Sequence, residues 1–192
     1  RDFTLLGEYG VTNYYDVMFL YSGNLNVPSK IREFTQSAFV KPAVQALNHF
    51  QYNSHDYFST QKVHGEVQFK QGSNNSRSSA TSFALSNCIS SLIEIRGVGI
   101  GKTSFKRRVH SAYLVSMSYL TSAYENQHTL FKMLSFNEQD KLRDSVIVES
   151  IPKKIVQDLK MIDVYTTDLI NISAKTNDAL RSSSTHSRPT PA

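Results

Sequence analysis

Cys88-Ile-Ser-Ser-Leu-Ile-Glu-Ile-Arg96 runs straight into Gly97-Val-Gly-Ile-Gly101, and that junction admits few folds. A short Ile-rich run halted by glycines reads as a largely buried strand. Side chains of a strand alternate between its two faces. Ile89, Ser91, Ile93 and Ile95 therefore share one face, and Ser90, Leu92, Glu94 and Arg96 the other. A carboxylate on such a strand is costly to bury unless it is paired or has a task. Ligands of open α/β sheets bind beyond the carboxyl ends of strands, which places Glu94 where acid–base chemistry is useful. Beyond the glycines, residues 103–125 read as the best helix of the chain. Thr103 is its cap, and Phe105, Val109, Ala112, Tyr113, Leu120 and Tyr124 line one side at helical spacing. Strand, glycine link and helix together predict an α/β fold, a mixed β-sheet flanked by helices.

The rest of the chain supplies the other layers. Residues 11–21 form a dense apolar and aromatic block that fits either a helix or a strand, and it ends at the turn signal Ser22-Gly-Asn-Leu-Asn26. A helix is expected from Ser29 as N-cap, with Ile31, Phe34, Ala38 and Phe39 on one face. Pro42 should kink or divide it before Ala43, Val44, Leu47 and Phe50 continue the face. Residues 51–71 alternate enough to suggest strands or an irregular excursion, and 71–79 are the strongest loop signal. A short helix is expected over 80–87 and a further one over 127–142. From Val146 the composition turns strand-like, with a basic amphipathic stretch before Asp163, and the polar end reads as a mobile tail.

Composition excludes several classes. The 192 residues suit one ordinary core, and 21 aromatics argue against wholesale disorder. The net charge of +5 condenses into one tight cluster, Lys106-Arg107-Arg108, without the interleaved aromatics of a stacking platform, so nucleic acid is not an expected partner. No stretch of about 18 apolar residues is present, so no transmembrane helix and no membrane partner are expected. The single cysteine, Cys88, lies in the apolar run and reads as a small core hydrophobe. Cysteines alone cannot build a disulfide or a metal site here.

Two further motifs carry less than their appearance suggests. Gly97-Val-Gly-Ile-Gly-Lys-Thr-Ser104 follows a strand and opens a helix, as a phosphate loop does. Walker spacing needs a glycine five residues ahead of the Gly in Gly-Lys-Thr, and that place holds Arg96. A tight strand-to-helix crossover explains the glycines better. The six histidines form no pair at ligand spacing, and none belongs to a His-x-x-Glu. His55 and His64 flank Tyr57 in the irregular region, which is their one point of interest.

The stretch from Ser90 through Glu94-Ile-Arg-Gly97 to Arg107-Arg-Val-His110 resembles the zinc carboxypeptidase family, the carboxypeptidase A-like metallopeptidases, and within it a bacterial branch. Tyr14-Tyr-Asp16, Asn24-Leu-Asn-Val-Pro28, Asn74 and Asn87 are similar to the same branch, so that the resemblance covers roughly residues 8–125. It implies that Glu94 is the general acid/base, taking a proton from a zinc-bound water and passing it to the leaving amine. Arg96, on the same strand face, is a candidate support for Glu94 or the substrate, a role the family itself does not supply, and the resemblance offers Tyr57 as the tyrosine that closes over the substrate. The family's zinc ligands, a His-x-x-Glu and a later His, lie ahead of the Glu strand and have no counterpart here.

That pattern leads to the expectation of a C-terminal portion of a larger metallopeptidase. Residues 1–145 would belong to the catalytic domain and 146–192 to a small β-containing extension. Peptide is the expected substrate, zinc the expected cofactor with its ligands outside this chain, and the remaining N-terminal part of the domain the expected partner. The resemblance implies a periplasmic or secreted location. The competing class is a non-catalytic peptide- or glycan-binding module that keeps the scaffold without metal.

Overall fold

A computed structural model describes residues 11–21, 23–72, 74–97, 105–136 and 161–163. In chain order the elements are β1 (Val11–Asn13), β2 (Val17–Tyr21), α1 (Ser29–Phe34), a π-helical segment (Thr35–Val40) and α2 (Lys41–His49). They continue with β3 (Ser54–Asp56), β4 (Phe58–Val63), β5 (Glu66–Gln71), α3 (Ser79–Leu85), β6 (Ser91–Ile95), α4 (Phe105–Glu125), α5 (Gln127–Phe136) and β7 (Met161–Asp163). This is an α/β fold with a mixed sheet. The sheet has the order β3-β2-β6, with β2 parallel to β3 and antiparallel to β6. Separate antiparallel pairs join β1 to β7 and β4 to β5. The expected cap Thr103, residues 137–145 and the rest of the 146–192 extension lie outside the described residues, apart from β7.

The ambiguous block 11–21 is two strands. Val17 and Phe19 are fully buried against Val40, Ala43, Leu47 and Val115, so one face of β2 carries α2 and α4. Met18 lies on the opposite face, with Tyr15 and Phe58. Both faces of β2 are therefore covered, which is why its apolar run does not alternate.

The helix after Pro28 divides as the proline at 42 requires. Pro42 has no N–H, and its ring collides with the carbonyl four residues back. The ladder widens just ahead of it: the Lys41 N–H donates to Gln36 O, five residues back. The cap position falls on Pro28 and not on Ser29, since the Pro28 carbonyl accepts the first helical N–H groups, from Ile31 and Arg32. Helix α2 ends in a left-handed residue, Gln51 (φ 62°). The Tyr52 N–H reaches back to Leu47 O and the Gln51 N–H to Asn48 O, a Schellman closure. Phe50 thus caps the helix, where it is 46% exposed and does not continue the apolar face.

Cys88 corrects an expectation for the same reason. Helix α3 closes with Asn87 left-handed (φ 61°), and the Cys88 N–H bonds Phe83 O. Cys88 is therefore part of a helix stop and is exposed. The strand begins three residues later and is half-buried along its length, not largely buried. It borders the three-stranded sheet, with β2 as its paired neighbour.

Helix α4 also differs from its expected orientation. Phe105, Val109, Tyr113, Leu120 and Tyr124, read as the inward side, are 53–76% exposed, while Ser111, Val115 and Ser122 are buried. At 100° per residue the two sets lie on opposite sides of the helix. The small serines allow close approach to the rest of the fold, which large aromatics would prevent. Among the described residues this aromatic stripe has no cover, and no helix is long and apolar enough to cross a membrane.

The β4–β5 hairpin turns on His64-Gly65, both at positive φ (52° and 86°), the two-residue geometry that matches strand twist. It leads back to Gly72, whose N–H donates to Tyr57 O at 2.9 Å. A Cβ on Gly72 would collide with Leu20 Cδ1 and sit 3.0 Å from Tyr57 Cδ1. Gly72→Ala is expected to lower stability by about 1–3 kcal/mol, read from urea denaturation.

At the exit of β2, the Tyr21 hydroxyl donates to both carboxylate oxygens of Asp56, at 3.2 and 3.3 Å. Burial, then the Asp56 charge, push the phenol up to about 12. The folded state prefers the neutral phenol, so its contribution is complete below pH 10 and is lost as pH rises from about 10 to about 12. Tyr21→Phe should remove one late-ionising step from the tyrosinate absorbance titration.

Candidate active site

Glu94 stands one residue before the end of β6, half-buried, directly across from Met18 of β2. Residues opposite one another in an antiparallel pair project from the same face. Met18 packs with Tyr15 and Phe58, and Tyr57 lies against that group. On the other flank of Met18, His55 of β3 holds the matching register position. His55, Met18 and Glu94 thus form one row across three strands, on the face away from α2 and α4. The His55 ring lies tilted against Tyr15 at 4.6 Å and meets Phe58 edge-on at 5.7 Å.

The structure brings Tyr57 and Glu94 to the same side of the sheet. Tyr57 links β3 to β4. Its backbone is held at both ends, the N–H donating to Phe19 O at 2.8 Å and the carbonyl accepting from Gly72. Arg96 follows Glu94 but lies past the end of β6, so strand alternation does not fix where it points. It is 9% exposed. Burial lowers its pKa to about 10, with the Asp16 charge opposing that shift and the Arg107 charge adding to it. At neutral pH it remains a cation.

Asp16 is what reading the sequence for chemistry passed over. It is 4% exposed and sits just before β2. Its Oδ1 accepts an ion pair from Arg107 Nη1 at 3.0 Å, and its Oδ2 accepts the Asn53 N–H at 2.9 Å. Its carbonyl accepts the Arg96 N–H at 2.9 Å, and its own N–H donates to Asn53 O at 2.7 Å. One residue therefore fastens the entry of β2, the entry of β3, the exit of β6 and the first turn of α4. The signal was available: a carboxylate inside an apolar block raises the same question as Glu94. Nearby, Tyr52 Oη and His110 Nδ1 are 2.9 Å apart, and burial, then the Asp16 charge, raise the Tyr52 phenol.

Chemically, the row offers a carboxylate at a strand end, an imidazole and an aromatic wall. Among the described residues no group of three or more His, Cys, Asp or Glu side chains could hold a metal ion, so these residues do not by themselves fit a zinc site.

Over 112 residues the chain is 24% identical to Carboxypeptidase 2 of Trichophyton rubrum, an alignment covering 58% of this chain and 21% of that protein. The chain thus spans about a fifth of the relative's length. No family model matches it, and no solved structure does.

Proposed function

We propose that this chain carries the acid–base part of a carboxypeptidase A-like zinc metallopeptidase domain, with Glu94 as its general acid/base. In this reading the Glu94 carboxylate takes a proton from the water that adds to the scissile carbonyl. It returns the proton to the amine as the C–N bond breaks, so the carboxylate is regenerated. Tyr57 and the aromatic wall around Met18 would flank the peptide. Asp16 and Arg96 would fix the end of β6 and hence the place of the carboxylate. The zinc ligands would come from sequence outside this chain, with the N-terminal part of the domain as partner and a secreted or periplasmic setting.

The observation that supports this reading most is the position of Glu94, at a strand exit beside an aromatic wall, in a chain similar to a carboxypeptidase. The test is a longer protein that includes these residues, incubated with zinc and peptides of known C-terminus. Stepwise release of free C-terminal amino acids is expected. Absence of any release, with peptide binding retained, would replace the enzyme by the binding module.

A further inference from the structure

A cavity lies on the opposite face of the sheet from Glu94, at the carboxyl ends of the parallel strands β2 and β3. It encloses about 460 Å³ and is lined by Tyr21, Gln36, Ser37, Val40, Lys41 and Asp56, with Val44 on its floor. Two features mark it. Its volume is in the range of small-molecule sites. It occupies the crevice beyond parallel strand ends, where ligands of α/β sheets bind. One wall is the π-helical segment Thr35–Val40, the widening that Pro42 imposes.

Among the described residues no counter-charge pairs with the ionic groups of the cavity. The Asp56 carboxylate accepts from the Tyr21 hydroxyl, which itself accepts from Gln36 Nε2 at 3.3 Å. That chain orients the carboxylate without neutralising it, and among the described residues neither Asp56 nor Lys41 takes part in an ion pair. A carboxylate has room for about four donors, so Asp56 keeps acceptor capacity. Among the described residues an acid and a base without ion-pair partners thus line one cleft together with Val40 and Val44. We infer that this cavity is a binding site for a small zwitterion of the free α-amino acid class. The ligand ammonium goes to Asp56, its carboxylate to Lys41 and Ser37, and a short aliphatic side chain to Val40 and Val44. The site goes beyond the peptidase reading and does not depend on it, since binding is measured without hydrolysis.

Titration calorimetry of the full chain with L-valine tests it, beside propylamine and propionate as half-ligands. Valine should bind at least about tenfold more tightly than either half-ligand. Asp56→Asn keeps the acceptor for Tyr21, and Lys41 is exposed, so both Asp56→Asn and Lys41→Met should fold with unchanged circular dichroism. Each should weaken valine binding by about tenfold or more. No binding of valine overturns the inference. So does equal affinity for propylamine, which would make this an amine site, or undiminished binding by both variants, which would put the ligand elsewhere.

Discussion

Glu94→Gln, in a protein long enough to hydrolyse peptides, is expected to lower kcat by about 10² to 10⁴ while KM stays near its parental value. Glutamine keeps the size and a carbonyl oxygen but cannot take a proton from water. The loss therefore falls on the transition state and not on peptide binding. Glutamine matches the half-buried glutamate in size, and comparing the melting of variant and parent separates chemistry from folding. The check is steady-state kinetics on a peptide series together with thermal unfolding. Parental kcat in Glu94→Gln would remove Glu94 from the mechanism and the peptidase proposal with it.

Asp16→Ala should have the largest effect on stability, about 3–5 kcal/mol. The substitution takes from Arg107 its 3.0 Å ion pair and leaves the Asn53 N–H without its carboxylate acceptor. It also removes the charge that offsets burial of Arg96. In a chain of this size the melting temperature should fall by about 6–20 °C. Replacing both partners, Asp16→Ala with Arg107→Met, should recover part of the loss, because a partly buried charge that has lost its ion pair costs more than an absent pair. A fall of less than about 1 kcal/mol in the single variant would mean that water reaches the pair and screens it.

Local chemistry explains which parts of this architecture were legible in the sequence. The strand under Glu94, the division of the helix at Pro42 and the α/β class follow from short-range rules: β-branched content, a missing N–H, alternation of patterns. Helix α4 was legible as a helix but not in its orientation. Its inward side is set by how closely Ser111 and Ser122 let it approach, a property of the partner surface and not of its own apolar count. Cys88 was misplaced because a left-handed Asn87 stops a helix as a glycine does, and asparagine announces that role less clearly. At the candidate site, Glu94 and Tyr57 were found as residues. The row they share with Met18 and His55 depends on pairing between segments far apart in the chain, which no local pattern encodes.

Strand β2 pairs with β3 and β6, and the latter contact joins Tyr21 to Ser91 and Val17 to Ile95. During synthesis at about 5–20 residues per second, an apolar five-residue strand therefore waits several seconds after leaving the ribosome before its second neighbour exists. Both edges of Val17–Tyr21 are open until β3 emerges, and one stays open from then until β6 does, so Val17, Met18, Phe19 and Leu20 form a sticky segment throughout. Efficient production of this protein should thus depend on whatever shields nascent chains, and slowing translation between Tyr21 and Ser91 should raise the share that ends as aggregate.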